Sequence, residues 1–382
     1  MPTGPLSGLK VVEMAGIGPA PMCAMLLADL GAEVIRIDRL EPSGLGAPQE
    51  RKYDLLLRSR PAIAIDLKQK NAVDLALRLI DTADAVIEGF RPGVMERLGL
   101  GPEVCLARNP KLVFGRMTGW GQEGPIAHAA GHDLNYIALA GVLHAIGRKG
   151  APPTPPLNLV GDFGGGTMYL AFGVMCALFE AGKTGKGQVV DAAMVDGAAS
   201  LMTSYFGHFA SGFMTNRRGE NMNDSGAYFY DVYECSDGKW VSLAPIEAKF
   251  HAELLERLGI DPTSLPEQWD RSSWDEVKAG LGVIFKTKTR AQWQEELEGT
   301  DVCFAPVLGP DEAPNHPHLA SRKTFIEIEG IVQPAPAPRF SNHPSPLPTA
   351  AKAPSPENSV AALKQWLPEG EPEALQKSGL FG

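Results

Sequence analysis

The first third of the chain alternates short apolar runs with amphipathic stretches. The apolar runs predict five strands, at residues 10–13, 33–38, 62–66, 85–88 and 112–116. Helices are predicted at 22–30 and 71–81; Pro19 and Pro21 precede the first of these and Gly31 follows it, as is typical of helix ends. Strands that alternate with helices indicate an α/β fold with a parallel sheet.

Two longer helical patterns follow. Residues 133–146 place apolar side chains on one face, namely Tyr136, Leu139, Leu143 and Ile146. Residues 167–181 are apolar on nearly all sides, which predicts a buried helix. Residues 185–194 predict a turn, a strand and the start of another helix.

The composition changes after Gly212, which indicates a second domain. Residues 213–226 are polar and rich in Gly and Asn and predict a linker. Runs at 228–234 and 239–243 flank Ser-Asp-Gly and predict a hairpin. Helical patterns at 247–258 and 290–298 follow it.

We therefore expect a large domain at 1–212 and a small α+β domain at 227–310. Residues 311–324 form the predicted return linker, and residues 325–382 complete the large domain. The proline-rich stretch 331–356 is expected to run extended over the surface.

Composition limits the class of protein. The chain has 382 residues, 44% hydrophobic and 21% charged, which is ordinary for a soluble globular protein. Its longest apolar run, 168–179, is too short to span a bilayer, so no membrane partner is expected, and the N-terminus lacks a secretory signal. The net charge of −10 disfavours nucleic acid as a partner. Five scattered cysteines without a C-x-x-C disfavour disulfides and a zinc site and predict a cytoplasmic location.

The segment 36–70 departs from the acidic balance of the whole chain. It holds eight basic and five acidic residues, a net charge of +3. Such a basic patch can receive a phosphorylated small molecule. A solvated surface with ion-paired loops would have the same composition.

The loop at 15–21 begins like the dinucleotide-binding pattern G-x-G-x-x-G, with Gly16 and Gly18. Asp38 lies near the place of the ribose-binding acid. Pro21 stands where the third glycine belongs, and its ring would obstruct close helix–strand packing. A nicotinamide enzyme is therefore disfavoured.

Two titratable residues stand beside glycine before apolar helical patterns, His132 after Gly131 and Asp162 after Gly161. A histidine and a carboxylate could serve as an acid/base pair on opposite faces of one carbon atom. Alternatively, His132 is structural, and Asp133 and Asp162 only cap helices. The three glycines 164–166 each disfavour a helix interior by about 0.5–1 kcal/mol, which indicates that something approaches this backbone closely.

The motifs at 131–143 and 161–166 resemble those of the α-methylacyl-CoA racemases, which belong to the family III CoA-transferase superfamily. Further segments of the chain resemble the same family, at 27–39, 65–68, 91–102, 116–122 and 187–194. The resemblance implies a large domain with a Rossmann-like parallel sheet and flanking helices, a smaller α+β domain and an interlocked homodimer. His132 is the discriminating residue, because the transferases share the aspartate, which carries a covalent acyl group, but lack this histidine.

The resemblance also implies roles for individual residues. His132 and Asp162 match the two proton-transfer residues, and Glu247 matches a carboxylate that orients the histidine across the subunit interface. Other positions match the CoA site: Arg39, Ala64, Ile65, Asp66, Leu67, Arg91, Gly131, Asp133, Leu134, Asn135 and Tyr136. No metal ion or further cofactor is expected, because CoA is part of the substrate.

The predicted activity is racemisation of 2-methylacyl-CoA thioesters by 1,1-proton transfer through an enolate. His132 would deprotonate the S substrate while Asp162 protonates the opposite face, and the roles reverse for the R substrate. Backbone N–H groups beside Asp162 would stabilise the enolate. Three methionines are candidate acyl-chain contacts or plain core residues: Met194, Met202 and Met214. The alternatives are a CoA-transferase with Asp162 as nucleophile and a non-catalytic acyl-CoA-binding protein.

Overall fold

The computed structural model describes residues 4–41, 44–46 and 49–381. The chain forms two compact units, the first comprising Met1–Ala140, Leu157–Leu201 and Lys323–Gly382, and the second comprising Gly141–Pro156 and Met202–Arg322. Residues 141–156, which the sequence placed in the large domain, thus belong to the second unit. They are held there because Arg148 forms an ion pair of 2.6 Å with Asp231 and Arg218 donates to the Ala151 carbonyl.

A six-stranded parallel sheet forms the centre of the first unit. Its strands are β1 (Lys10–Met14), β2 (Glu33–Asp38), β3 (Ala62–Ala64), β4 (Ala85–Glu88), β5 (Val113–Thr118) and β6 (Gln188–Ala193). They lie in the order β3-β2-β1-β4-β5-β6, and every pair is parallel. The five predicted strands are confirmed, with β3 shorter than predicted. The strand order reverses between β1 and β4, where the carboxyl ends of such sheets form a crevice.

Helices cover both faces of this sheet. One face packs against Lys70–Asp81, Pro356–Leu363 and Glu371–Lys377, and the other packs against Pro19–Asp29 and Met168–Thr184. The remaining elements of the unit are the helices Val94–Arg97, Pro102–Arg108, Asp133–Leu139 and Met194–Leu201, and an antiparallel hairpin of Phe325–Ile328 and Ile331–Pro334.

The long helix predicted at 133–146 is broken. The structure has separate helices Asp133–Leu139 and Val142–Ala145, because Gly141 takes the left-handed conformation with φ of 81°. Tyr136 is buried, whereas Leu139 is 63% exposed. The single apolar face predicted for this stretch is therefore wrong.

The helix predicted at 167–181 begins earlier than expected. A π-helix, Leu159–Thr167, leads directly into the α-helix Met168–Thr184. The combined helix has 26 residues and is long and apolar enough to cross a membrane by length and composition alone. The prediction that the longest apolar segment is too short to span a bilayer is therefore wrong. The core helices of soluble proteins meet the same criterion, so the finding concerns length and composition only.

This helix has one buried and one exposed apolar face. Leu170, Val174 and Ala177 are buried in the core beside the sheet. The exposed face carries Met168, Phe172, Met175 and Phe179 at helical spacing, here called the apolar stripe; Phe172 is 71% exposed and Phe179 67%. The expectation that the helix is buried on nearly all sides is therefore wrong.

The second unit is built around a three-stranded antiparallel sheet of Asp231–Glu234, Trp240–Leu243 and Phe304–Pro306. The first two strands are the predicted hairpin, which is confirmed. The α-helices of the second unit are Val142–Ala145, Thr203–Ala210, Ala248–Arg257, Trp274–Phe285, Arg290–Leu297 and Pro317–Ser321. Aromatic side chains dominate its core, among them Tyr228, Phe229, Phe285 and Trp293.

Candidate active site

A cavity of about 460 Å³ lies at the carboxyl ends of the parallel strands. Residues that follow β1, β4 and β5 line it, including Gly18, Gly89 and Gly119. This position is the reversal point of the strand order, where ligands of open α/β sheets bind. His132 and Asp162 both line the cavity, so the structure brings together the two residues that the sequence singled out.

His132 is exposed and stands immediately before the helix Asp133–Leu139. Its backbone N–H donates to the Asn135 side-chain oxygen at 3.0 Å, which fixes the start of this helix. Gly131 fits against two aromatic rings, because a Cβ atom there would lie 2.8 Å from Tyr136 and 2.9 Å from Trp120. The Tyr136 hydroxyl donates to the Gly131 carbonyl. The histidine is therefore carried on a firmly held segment.

Asp162 lies in the first turn of the π-helix and does not cap it. Its carboxylate accepts from the Asn158 side-chain amide at 3.2 Å. Its backbone N–H donates to Asp133 Oδ1 at 2.7 Å. The reading of Asp162 as only a cap is therefore wrong, and its own N–H is not available to an enolate.

The surroundings of Asp162 favour its protonated form. Burial raises the pKa of the Asp162 carboxyl above its ordinary value, and the negative charge of Asp133 raises it further. The hydrogen bond from Asn158 and the nearby His132 oppose this increase in pKa. Burial also raises the pKa of Tyr136 to about 12, so Tyr136 is a neutral hydrogen-bond donor. A carboxyl with a raised pKa is suited to exchange protons near neutral pH.

The glycines after Asp162 serve helix packing. A Cβ atom on Gly165 would lie 2.6 Å from the Ala198 backbone nitrogen, and one on Gly197 would lie 1.9 Å from the Gly165 carbonyl oxygen. The predicted close approach is confirmed, and what approaches is the backbone of the helix Met194–Leu201. This packing fixes the π-helix that carries Asp162.

A second cavity of about 560 Å³ shares Arg39, Phe90 and Val94 with the first. Four of the predicted CoA-site residues line it: Arg39, Ile65, Asp66 and Leu67. Arg39, Arg91, Gly131 and Tyr136 line the cavity of His132 and Asp162. Ala64, Asp133, Leu134 and Asn135 line neither cavity.

The basic segment 36–70 is only partly available to a ligand. Arg36, Arg58 and Arg60 are buried and form ion pairs with Glu13 and Asp29. These three arginines follow the ion-paired alternative, except that they are buried and not on a solvated surface. Arg39 remains exposed beside both cavities, and Arg91 is exposed beside the first.

Sequence reasoning missed several residues at the site. The loop that resembled a dinucleotide motif lines the cavity through Ile17 and Gly18, and a Cβ atom on Gly18 would lie 3.4 Å from Asp162 Oδ2. Trp120 also lines the cavity, and its buried indole N–H has no hydrogen-bond partner within the described chain. Trp120 lay in a segment already noted for its resemblance, whereas nothing in the sequence distinguished Asn158.

The remaining candidate residues are more dispersed. Glu247 directly precedes the helix Ala248–Arg257 in the second unit, and its role toward His132 stays a prediction. Met194 lines the first cavity, whereas Met202 and Met214 are buried. Within the described ranges, no cluster of three His, Cys, Asp or Glu residues could hold a metal ion.

Comparison with known proteins identifies relatives that match most of the chain. The chain is 42% identical to alpha-methylacyl-CoA racemase of Mus musculus over 363 residues, covering 94% of this chain and 93% of the mouse protein. It is 42% identical to alpha-methylacyl-CoA racemase of Homo sapiens, covering 89% of this chain and 87% of the human protein. Both relatives are racemases, so the predicted resemblance and the predicted enzyme class, an isomerase, are confirmed.

Solved structures with a similar fold include a member of the CAIB/BAIF family. A CAIB/BAIF family protein from Brucella suis superposes with a TM-score of 0.81 at 25% identity, covering 96% of this chain and all of that chain. The sequence model of the family described as CoA-transferase family III matches residues 6–359. The chain therefore belongs to CoA-transferase family III and has the α/β fold of that family.

Proposed function

We propose that the protein interconverts the R and S forms of 2-methylacyl-CoA thioesters. The observation that carries this proposal is the presence of His132 and Asp162 on one cavity. The α-C–H of a thioester is weakly acidic, and inversion needs a base on one face and an acid on the other. His132 removes the proton of the S substrate and Asp162 protonates the opposite face; the roles reverse for the R substrate.

The raised pKa of Asp162 supports this assignment. Because each group must act as acid in one direction and base in the other, the two must hold a proton with similar affinity. Burial and the charge of Asp133 raise the pKa of Asp162 above its ordinary value, so Asp162 holds a proton more strongly than an exposed carboxyl does. The reaction so described removes one proton from the α-carbon and adds another on the opposite face, so it changes no oxidation state and needs no metal ion or additional cofactor.

The negative oxygen of the enolate also needs a hydrogen-bond donor. Trp120 lines the same cavity, but its unpartnered indole N–H is buried, so the ring must turn toward the substrate before this N–H can serve as the donor. Arg39 and Arg91 are our candidates for the phosphates of CoA, because both are exposed cations beside that cavity.

The proposal is tested with a pure (R)-2-methylacyl-CoA in deuterated water. We expect the S form to appear with deuterium at its α-carbon. The His132→Ala variant should lose about 10²- to 10⁴-fold in rate while binding acyl-CoA about as well as the wild type. Retention of configuration without label in the wild type would contradict the proposal.

A CoA-transferase is the second candidate, because the Asp162 carboxylate lines the cavity and could attack a thioester. That activity predicts exchange of CoA between two acids and an acyl group trapped on Asp162 as an adduct. Mass spectrometry after incubation with acyl-CoA and hydroxylamine distinguishes it. A racemase forms no such adduct.

We also propose that the active unit is a homodimer in which Glu247 of the partner subunit orients His132. The apolar stripe supports a dimer, because four large apolar side chains lie exposed on one helix face. We expect the double variant Phe172→Asp, Phe179→Asp to be monomeric by light scattering, whereas the wild type is dimeric.

Coexpression tests the shared site. If Glu247 acts across the dimer, His132→Ala and Glu247→Ala chains expressed together regain about a quarter of the wild-type sites. The matched control pairs His132→Ala with Asp162→Asn, which lie in one unit and should regain no activity. Equal recovery of activity in both mixtures would contradict the shared site.

We also propose a cytoplasmic location without membrane attachment. Five free cysteines support it, because free thiols are typical of a reducing compartment.

A further inference from the structure

Asp133 occupies an unusual place beside the proposed proton-transfer pair. It is 6% exposed and lines neither cavity, so it is not placed to bind substrate. Its Oδ1 atom accepts the backbone N–H of Asp162 at 2.7 Å. The buried Asp133 carboxylate therefore holds the backbone of Asp162, the residue whose own carboxyl lies on the cavity.

Gly161 makes this arrangement possible. A Cβ atom at this position would lie 2.5 Å from Asp133 Oδ1 and 3.1 Å from the Ile137 side chain. Any larger residue would displace the Asp133 carboxylate from the Asp162 backbone. The glycine before Asp162 is thus required for the contact between the two acids.

We propose that Asp133 is a positioning residue that fixes the Asp162 backbone and places its own negative charge beside the Asp162 carboxyl. The inference rests on the proposed function in one respect, namely that Asp162 must exchange a proton to act. The burial and geometry of Asp133 carry it, and the upward shift of the Asp162 pKa by Asp133 agrees with it.

The other groups around Asp162 are accounted for. The titratable, charged and amide side chains that face it or line its cavity are His132, Asp133, Tyr136, Asn158, Arg39 and Arg91. The helix Met194–Leu201, which also packs against the π-helix, contributes Asp196, which is exposed. Asp133 is the one carboxylate of this set that bonds directly to Asp162.

Two substitutions separate the two parts of the role. Asp133→Asn keeps an oxygen that can accept the Asp162 N–H and removes the charge. Asp133→Ala removes both. The matched control is Asp196→Asn, which removes the same charge from the first turn of another helix against the π-helix.

The readout is the titration of the Asp162 carboxyl carbon by NMR, compared with the pH profile of racemisation. In Asp133→Asn, we expect the titration midpoint of Asp162 to move to lower pH, and to move further than in Asp196→Asn. The acidic limb of the pH profile of kcat/KM should move to lower pH by the same amount as this midpoint. In Asp133→Ala, we expect kcat to decrease at least about ten-fold further, while KM stays within about two-fold.

An unshifted Asp162 midpoint in Asp133→Asn would overturn the charge role. Equal kcat for the Asn and Ala variants would overturn the positioning role. Gly161→Ala provides an independent variant in which Asp133 is unchanged. It should also move the Asp162 titration midpoint to lower pH, because the added Cβ atom displaces the Asp133 carboxylate. The NMR titration does not depend on activity, so a wild type that fails to racemise would overturn the proposed function and leave this test in force.

Discussion

Two groups of arginines in the first unit lie close in sequence and differ in their surroundings. Arg36 and Arg60 are buried and share Glu13, which is fully buried. Arg39 and Arg91 are exposed beside the cavity, and within the part of the chain that the structure describes no ion pair involves them. Each buried arginine depends on its carboxylate, because a buried charge that loses its partner destabilises the fold. The unpaired arginines remain available to an anionic ligand.

The paired group also supports the site indirectly. Arg36 donates to the Gly16 carbonyl at 3.3 Å, and the same loop places Ile17 and Gly18 on the cavity. Arg58, paired with Asp29, donates to the Gln333 side chain at 2.9 Å and so ties the C-terminal segment to the first unit. The Arg36 contact therefore holds a loop that lines the cavity, and the Arg58 contact holds the C-terminal segment in place.

The largest expected effect is on the paired group. Glu13→Ala leaves the buried Arg60 without a carboxylate and Arg36 with Asp38 alone, so the free energy of unfolding should decrease by about 3–5 kcal/mol. Urea denaturation measures this change. Glu103→Ala, which removes an exposed acid at a helix start, is the control and should change it by less than about 0.5 kcal/mol. Equal free energies of unfolding for Glu13→Ala and Glu103→Ala would contradict the role given to the buried ion pairs.

Arg91→Ala should have the opposite profile. Because Arg91 is exposed and unpaired, its loss should change the free energy of unfolding by less than about 0.5 kcal/mol. The KM for acyl-CoA should increase about ten-fold, the size of one lost charge-assisted hydrogen bond. Steady-state kinetics and urea denaturation of the same sample measure both quantities. An unchanged KM would remove Arg91 from the proposed phosphate site.

In its surroundings, Asp162 is intermediate between the buried, ion-paired arginines and the exposed ones. It is partly buried, and its carboxylate accepts a hydrogen bond from the Asn158 side-chain amide. Because its pKa is raised in the folded protein, folding favours its protonated form. Its ionisation therefore destabilises the fold at neutral pH, and this cost disappears as the pH falls through the raised folded pKa toward the unfolded value. Asp162→Asn should not racemise its substrate and should be slightly more stable than the wild type at pH 7. The stability difference should vanish at acidic pH, and a less stable Asn variant at pH 7 would contradict this.

The sequence predicted the pattern of strands, the cavity pair and the family. Apolar runs at β1, β2, β4 and β5 that alternate with helical patterns identify a parallel sheet, because neighbouring parallel strands need a crossover connection, usually a helix. His132 and Asp162 stood out because glycine beside a titratable residue at a helix start is unusual. These signals are local and can be read from neighbouring residues.

Other features depended on contacts that are distant in the chain. Arg39 and Arg60 have the same charge, and only the packing of Glu13 against β2 and its neighbours separates a buried arginine from an available one. The break at Gly141 depends on a left-handed backbone angle that the apolar spacing does not reveal. Phe172 and Leu170 are equally apolar, yet one is exposed and the other buried. The loop at Gly16 and Gly18 was set aside as a weak cofactor motif, and its position on the cavity required the fold.

The central claim is that His132 and Asp162 act on opposite faces of the α-carbon. It is tested most directly by single-variant exchange of the α-proton in deuterated water, using each pure enantiomer. Asp162→Asn keeps the base for the S substrate, so we expect deuterium to enter the S form and not the R form, without racemisation. His132→Asn should exchange the R form and not the S form. Equal behaviour of the two enantiomers in either variant would contradict the account.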